Sequence, residues 1–168
     1  IGSAQGLISI EEINIASAPT EVLGWGMSIE LDVSVVSVSS VVEYGYLTTV
    51  NGGSLPSFFS FNEEDNGFTV AAYYDFFGIY GCFYEVEKDI LLVSYETNPA
   101  VFVGDQVGTT VQPNFANGVG NPPVDNLMTP SSQIHITAIS FDNGLITIQP
   151  GSQFVRGDVN LDGSVGAI

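Results

Sequence analysis

The residues of this chain best suited to chemistry stand near its C-terminal end, where Asp158, Asn160 and Asp162 alternate and Gly163 follows. Oxygen ligands at positions 1, 3 and 5 of a loop, a glycine at 6 that permits a sharp turn, and a backbone carbonyl at 7 form the first half of a shell for a hard divalent cation. Asp158, Asn160 and Asp162 fill the three ligand places, and Ser164 offers its carbonyl at the fourth. Ca2+ is the expected ion, since it takes carboxylate, amide and carbonyl oxygens together. The acidic ligand at position 12 would fall one place past Ile168, which points to a fragment of a longer protein. Without metal, the same residue types are ordinary turn formers.

Other reactive groups are few. His135 is the only histidine and alternates with Ile134 and Ile136, so it faces away from them on a strand, at the surface or between sheets. No Ser-His-Asp order or Gly-x-Ser-x-Gly elbow accompanies it. Cys82 is the only cysteine, which excludes an intrachain disulfide and fits a small buried hydrophobe. A glycosidase needs two carboxylates across a cleft. Glu63, Glu64 and Asp65, Asp75, then Glu85, Glu87 and Asp89, supply the number. Their settings, a solvated turn and a strand end, suit a minor calcium site better than catalysis. Asn51-Gly52-Gly53 lacks the lysine and following helix of a phosphate loop. The expectation is that the chain is not an enzyme.

Charge narrows the partners. Nineteen Asp and Glu face two Lys and Arg, for a formal net charge of −17, although charged residues are only 12% of the chain. Nucleic acid needs a basic footprint that this chain lacks, and anionic membranes are disfavoured for the same reason. Calcium-rich water outside the cell would bridge or screen such carboxylates, so the expected location is extracellular or at the cell surface. No apolar run approaches the roughly 20 residues of a membrane-spanning helix. The start at Ile1-Gly2-Ser3, with no initiator Met or basic leader, points to a processed or truncated N-terminus.

The elements that must carry these residues alternate between polar and apolar almost throughout. Met27, Ile29, Leu31 and Val33 share one strand face. Residues 7–15, 33–42, 58–61, 67–77 and 90–97 read as further strands, rich in β-branched and aromatic side chains. A hairpin is expected over 134–148, turning at Asn143-Gly144. Glycine and proline punctuate the chain at the spacing of a sandwich. The predicted fold is therefore all-β: a single sandwich over 1–152 with Trp25, Leu31, Phe59, Val70, Leu92 and Ile136 in its core, then a linker and loop segment over 153–168. Pro99 to Pro130 is expected to be a long, irregular Pro- and Gly-rich surface loop with a short strand near Thr109-Thr110-Val111.

Two resemblances sharpen this reading. Gly157-Asp158-Val159-Asn160-Leu161-Asp162-Gly163 resembles the first calcium loop of the dockerin module of bacterial secreted proteins, which implies calcium and a cohesin-type partner. The body from about Val22 to Thr147 is similar to cohesin-like domains that precede such tails. The similarity rests on Leu23-Gly24-Trp25-Gly26-Met27-Ser28, Leu47 to Gly53, Phe58-Phe59, Gly67-Phe68-Thr69-Val70, Tyr74 to Gly78 and Leu91 to Tyr95. It implies a jelly-roll-like β-sandwich used for adhesion, scaffolding or recognition.

One aromatic cluster separates the remaining functions. Tyr73, Tyr74, Phe76, Phe77, Tyr80, Phe83 and Tyr84 crowd twelve residues, more rings than one face of one strand hides. Some must be exposed, covered by the long loop, or buried against another molecule. The favoured expectation is a structural or adhesive subunit that binds other copies of itself in a filament or surface layer, or a cohesin- or dockerin-type protein. In that reading the 113–130 segment reaches a neighbour and calcium acts as glue. The alternative is a carbohydrate-binding module that stacks these rings on polysaccharide.

Overall fold

The computed structural model describes residues 3–11, 20–98, 108–131 and 144–147. The proposed calcium ligands Asp158, Asn160, Asp162 and Ser164, together with His135, Ile136 and most of the 134–148 hairpin, lie outside the described residues. So does the whole 153–168 segment.

The chain is an all-β sandwich, as its alternation predicts: its described residues form two larger antiparallel sheets and one small two-stranded sheet. In the first sheet β2 (Val22–Glu30) pairs with β5 (Gly67–Tyr73), and β5 pairs with β4 (Phe58–Glu64). Register stacks the apolar positions into inward rows: Trp25, Ala72 and Phe59 in one, Met27, Val70 and Phe61 in the next. Trp25, Met27, Val70 and Ala72 are buried, and the two phenylalanines pack against them half-buried. The β4–β5 hairpin turns on Asp65-Asn66, the solvated turn expected there, and closes on Gly67. A Cβ at Gly67 would stand 2.0 Å from the Ile29 carbonyl oxygen, so only glycine lets β5 lie this close to β2.

The second sheet places β6 (Lys88–Thr97) between β1 (Ser3–Ile10) and β3 (Val36–Glu43). Val41 lies opposite Val93, and Val38 opposite Tyr95, all facing the first sheet and all buried. Leu92 was expected in the core and is not: it is half-buried on the outer face, between Leu7 and Val42. Ile90 to Val93 is a continuous apolar run, whose period says nothing about which face each residue takes; the pairing puts Leu91 and Val93 inside. Leu31 is buried as expected, whereas Val33 lies in the turn before β3 and packs at the core's margin. A 3₁₀ turn, Gly45–Thr49, which no sequence pattern announced, buries Leu47 at one end of the sandwich.

The Pro- and Gly-rich segment holds the short strand expected near Thr109-Thr110-Val111, and its other described residues depart from the expectation of a long surface loop. Its described part forms β7 (Thr110–Val111), β8 (Asn114–Phe115) and β9 (Leu127–Pro130), and β10 (Ile146–Thr147) pairs with β7. The short strands β8 and β9 share the free edge of β2 end to end, leaving a gap at Ser28. Asn126 fills it with its side chain: Oδ1 accepts from the Ser28 amide at 2.9 Å, and Nδ2 donates to the Ser28 carbonyl at 3.1 Å. A carboxamide offers the same donor and acceptor as a peptide group, so it stands in for the missing strand residue. Val119 N–H donates to Ser28 Oγ at 3.1 Å, and both Ser28 and Asn126 are buried. This segment serves its own sheet.

Among the described residues the buried polar side chains are hydroxyls and amides, apart from the Asp75 carboxylate. Tyr74 and Tyr84 are fully buried with their hydroxyls hydrogen-bonded to each other. Trp25 Nε1 lies toward the Tyr74 hydroxyl, outside hydrogen-bond geometry. Burial raises both tyrosines above the ordinary value of 10.0 and pushes Tyr95 up to about 12. A proton held more tightly in the folded state gives stability that is whole below the unfolded value and is lost as pH rises beyond it.

Two sets of outcomes follow. Urea unfolding should show Trp25→Ala costing about 3–5 kcal/mol, the range for emptying a large aromatic site. Asn126→Ala should cost about 2 kcal/mol, because the buried Ser28 amide loses its partner, while the exposed Asn62→Ala should change stability by less than about 0.5 kcal/mol. The urea midpoint should also fall above about pH 10, with Tyr74, Tyr84 and Tyr95 ionising, by ultraviolet absorbance at 295 nm, only as the protein unfolds. Normal ionisation of all seven tyrosines in the folded protein would contradict their burial.

Candidate recognition surface

Strand β5 ends at Tyr73, four residues earlier than its apolar pattern suggests, because the chain is captured on both sides of a loop. Tyr74 N–H donates to the Leu23 carbonyl at 2.8 Å. Beyond the loop, Val22 and Cys82 exchange two backbone hydrogen bonds of 2.8 Å. Within it, the Asp75 carbonyl accepts from Gly78 N–H at 3.0 Å, and the Asp75 carboxylate accepts from Phe77 N–H at 3.0 Å and Ile79 N–H at 2.8 Å. Gly78 takes φ 66, a left-handed turn that suits glycine. These amide contacts, Phe77 first, hold the Asp75 carboxyl below the usual carboxylate range.

The turn sends the apolar side chains outward. Phe76 is 66% exposed, Phe77 86% and Ile79 70%, and Phe83 and Val86 further along the chain are exposed too. The Phe76 ring stacks on Tyr73 at 5.9 Å and 21°, and Tyr73 lies opposite the exposed Phe58 across the β4–β5 pair. Phe76 N–H donates to Ser57 Oγ at 3.4 Å. Tyr80 rests on Gly52, where a Cβ would stand 2.7 Å from its ring. The rings thus form an apolar corner at the end of the first sheet. Of the seven rings, Tyr74 and Tyr84 go to the core, Tyr73 is half-buried, and Phe76, Phe77, Tyr80 and Phe83 are exposed.

Beneath the corner Cys82 is buried, and burial pushes its thiol up, away from a reactive thiolate. Lys88, the one Lys or Arg among the described residues, is used inside the loop. Its ammonium donates to the Phe83 carbonyl and stands 4.1 Å over the Tyr46 ring and 3.8 Å from Cys82 Sγ. Glu85 and Glu87 are exposed.

The acidic clusters do not converge. Residues 63–65 lie at the Glu30 end of β2, and residues 85–89 follow Cys82 at its Val22 end. Glu64 accepts from Thr69 Oγ1 at 3.3 Å and Asp89 from Ser9 Oγ at 2.7 Å. Among the described residues no three His, Cys, Asp or Glu side chains come together to hold a metal. The role of Asp75 escaped the sequence reading, although Asp75 three places before Gly78 is a side-chain-capped turn signal. No described helix is long and apolar enough to cross a membrane.

No protein-family model matches the chain, and no curated protein matches it in sequence. Its fold is similar to solved cohesin domains. The sixth cohesin of scaffoldin B from Acetivibrio cellulolyticus, solved with a Cel5 dockerin, superposes with a TM-score of 0.62 at 12% identity, covering 88% of this chain and 89% of that one. The third cohesin of ScaC, solved with the ScaB dockerin of the same organism, gives 0.62 at 12% identity over 89% and 90% of the two chains. A cohesin in a type I complex from Clostridium thermocellum gives 0.55 at 12% identity over 87% and 86%. The chain has a cohesin-like β-sandwich fold.

Proposed function

We propose that this chain is a non-catalytic protein-recognition module of the cohesin kind, working outside the cell as a structural or adhesive subunit. One observation supports the reading above the others: a sandwich with the fold of cohesins that were solved holding dockerins stands in the same chain as the dockerin-like stretch Gly157 to Gly163. A subunit with a cohesin-like sandwich and a dockerin-like stretch would join head to tail, the tail of one copy on the sandwich of the next. A heterologous contact of that kind grows into a filament or layer when its rotation does not close. Calcium held by Asp158, Asn160, Asp162 and the Ser164 carbonyl would order the tail. It would also offset the repulsion between copies of charge −17.

Carbohydrate binding is the second reading, favoured by the exposed rings of Phe76, Phe77 and Tyr80. Light scattering of the whole chain, in calcium and then in chelator, separates the two. Recognition between copies predicts multiples of the 17.8 kDa subunit in calcium, their reversal by chelator, and their loss together with calorimetric calcium uptake in Asp158→Ala with Asp162→Ala. A particle that stays monomeric at high concentration in both conditions overturns assembly by this chain; cello-oligosaccharide binding by that monomer supports the second reading.

A further inference from the structure

Asparagine followed by glycine is the most labile peptide pair in an ordinary chain, because no Cβ shields the glycine nitrogen from the side-chain carbonyl carbon before it. The chain has four such pairs, and those at 51–52, 66–67 and 117–118 are described. Attack needs a glycine nitrogen released from hydrogen bonding and a backbone with room to turn. Gly67 has neither: it is buried, paired with Glu64 on one side and Glu30 on the other, with the Ile29 carbonyl oxygen 2.0 Å from where a Cβ would stand. Gly118 N–H donates to the Val124 carbonyl at 2.8 Å, and Asn117 Oδ1 is held by the Asn126 backbone amide at 2.8 Å and its Nδ2 at 3.2 Å. Gly52 differs from both. It is exposed at the tip of a turn in which Asn51 and Ser54 exchange backbone bonds of 3.1 and 3.0 Å, and its own N–H donates to no described group. Gly52 and Gly53 take φ 58 and 91, and the one bond of the Asn51 side chain is an exposed contact of 3.2 Å from Nδ2 to Ser57 Oγ.

We propose that Asn51 is a site of spontaneous covalent modification, converting by deamidation to aspartate and isoaspartate, and that the conversion unseats Tyr80. The Gly52 nitrogen, losing its proton to water, bonds to Asn51 Cγ. The Cγ–Nδ2 bond breaks and ammonia leaves, giving a five-membered succinimide. Water then adds to one of its two carbonyls and opens the ring, to aspartate at one and isoaspartate at the other. Each conversion replaces a neutral amide with a carboxylate. Isoaspartate also inserts a methylene into the main chain directly before Gly52, the residue against which Tyr80 rests, with its ring 2.7 Å from where a Gly52 Cβ would stand. The Nδ2 donor to Ser57 Oγ is lost at the same moment, and Ser57 Oγ is the acceptor for Phe76 N–H. The turn at 51–54 is thus a slow chemical switch on the support of the aromatic loop, independent of head-to-tail assembly and of sugar binding.

The test is peptide mapping by mass spectrometry of the whole chain aged at pH 8 and 37 °C, folded in one sample and unfolded in guanidinium chloride in another. In the folded protein, residue 51 should gain the mass of an amide-to-acid change at least tenfold faster than Asn66 and Asn117, with ammonia released in step. Electron-transfer fragmentation should show isoaspartate as the larger product. In guanidinium the three sites should convert at similar rates, since the fold no longer holds Gly67 and Gly118. An Asn51 that stays an amide in the folded protein, or converts no faster than Asn66 and Asn117 do there, overturns the modification site. Asn51→Gln keeps a side-chain amide but would have to close a larger ring, so it should remain unmodified over the same period. Carbene labelling of Tyr80 should rise in the aged wild type and stay constant in aged Asn51→Gln; equal labelling in the two overturns the effect on Tyr80.

Discussion

Two hydrogen bonds between the backbones of Val22 and Cys82 tie the end of a twelve-residue aromatic stretch to the first residue of the central strand β2. With Tyr74 already bonded to Leu23 on the other side, the chain between is forced to leave the sandwich and return. That closure decides which rings are inside. Tyr74, Cys82 and Tyr84 fall at the anchored ends and fill the core beside Trp25, and the apolar side chains between them, Phe76, Phe77, Ile79, Tyr80 and Phe83, are exposed. Leaving large apolar side chains in water forgoes the stabilisation that burial would bring, about 25 cal/mol per Å². A fold that does this with a capped, braced loop spends stability on a surface.

The same interior explains how a chain with so few cations folds at all. Buried polar groups are satisfied by neutral partners: Ser28 by the Asn126 carboxamide and the Val119 amide, Tyr74 by Tyr84. Neutral groups avoid the desolvation cost that makes buried ion pairs a poor source of stability. Little in the interior therefore titrates between the carboxylate range and the tyrosine range. Asp75 is a buried carboxylate held by backbone amides: its lowered value means that its contribution is present above the ordinary 3.8 and fades as pH falls through the folded value. The excess negative charge is left to the outside, where it governs which partners approach.

Much of the sandwich was legible in the sequence because its central strands face solvent, or a thin cover, on one side. Trp25, Met27 and Ile29 alternate with Gly24, Gly26 and Ser28, and alternation is the one signal that assigns a face. Leu91, Leu92 and Val93 carry no such signal, and the strand's facing had to come from its partners. Strands β8 and β9 were hidden for another reason: two to four residues are too few to show a period, and the contact that fixes them is the single side chain of Asn126. The aromatic cluster was legible as a surplus of rings, but its division between core and surface depends on the Val22–Cys82 pairing, which joins residues sixty places apart. The loop at 158–164 was read wholly from residue type and spacing.

The central claim is that the same short stretch keeps one set of rings sealed and presents another to solvent. Carbene footprinting of the free, monomeric protein, read by mass spectrometry residue by residue, tests it most directly. The account predicts heavy modification of Phe76, Phe77, Ile79 and Val86, with Trp25, Tyr74, Cys82 and Tyr84 unmodified until the protein unfolds. Protection of the first four in the free chain, or labelling of Tyr74 and Cys82 at the rate of exposed groups, would contradict it.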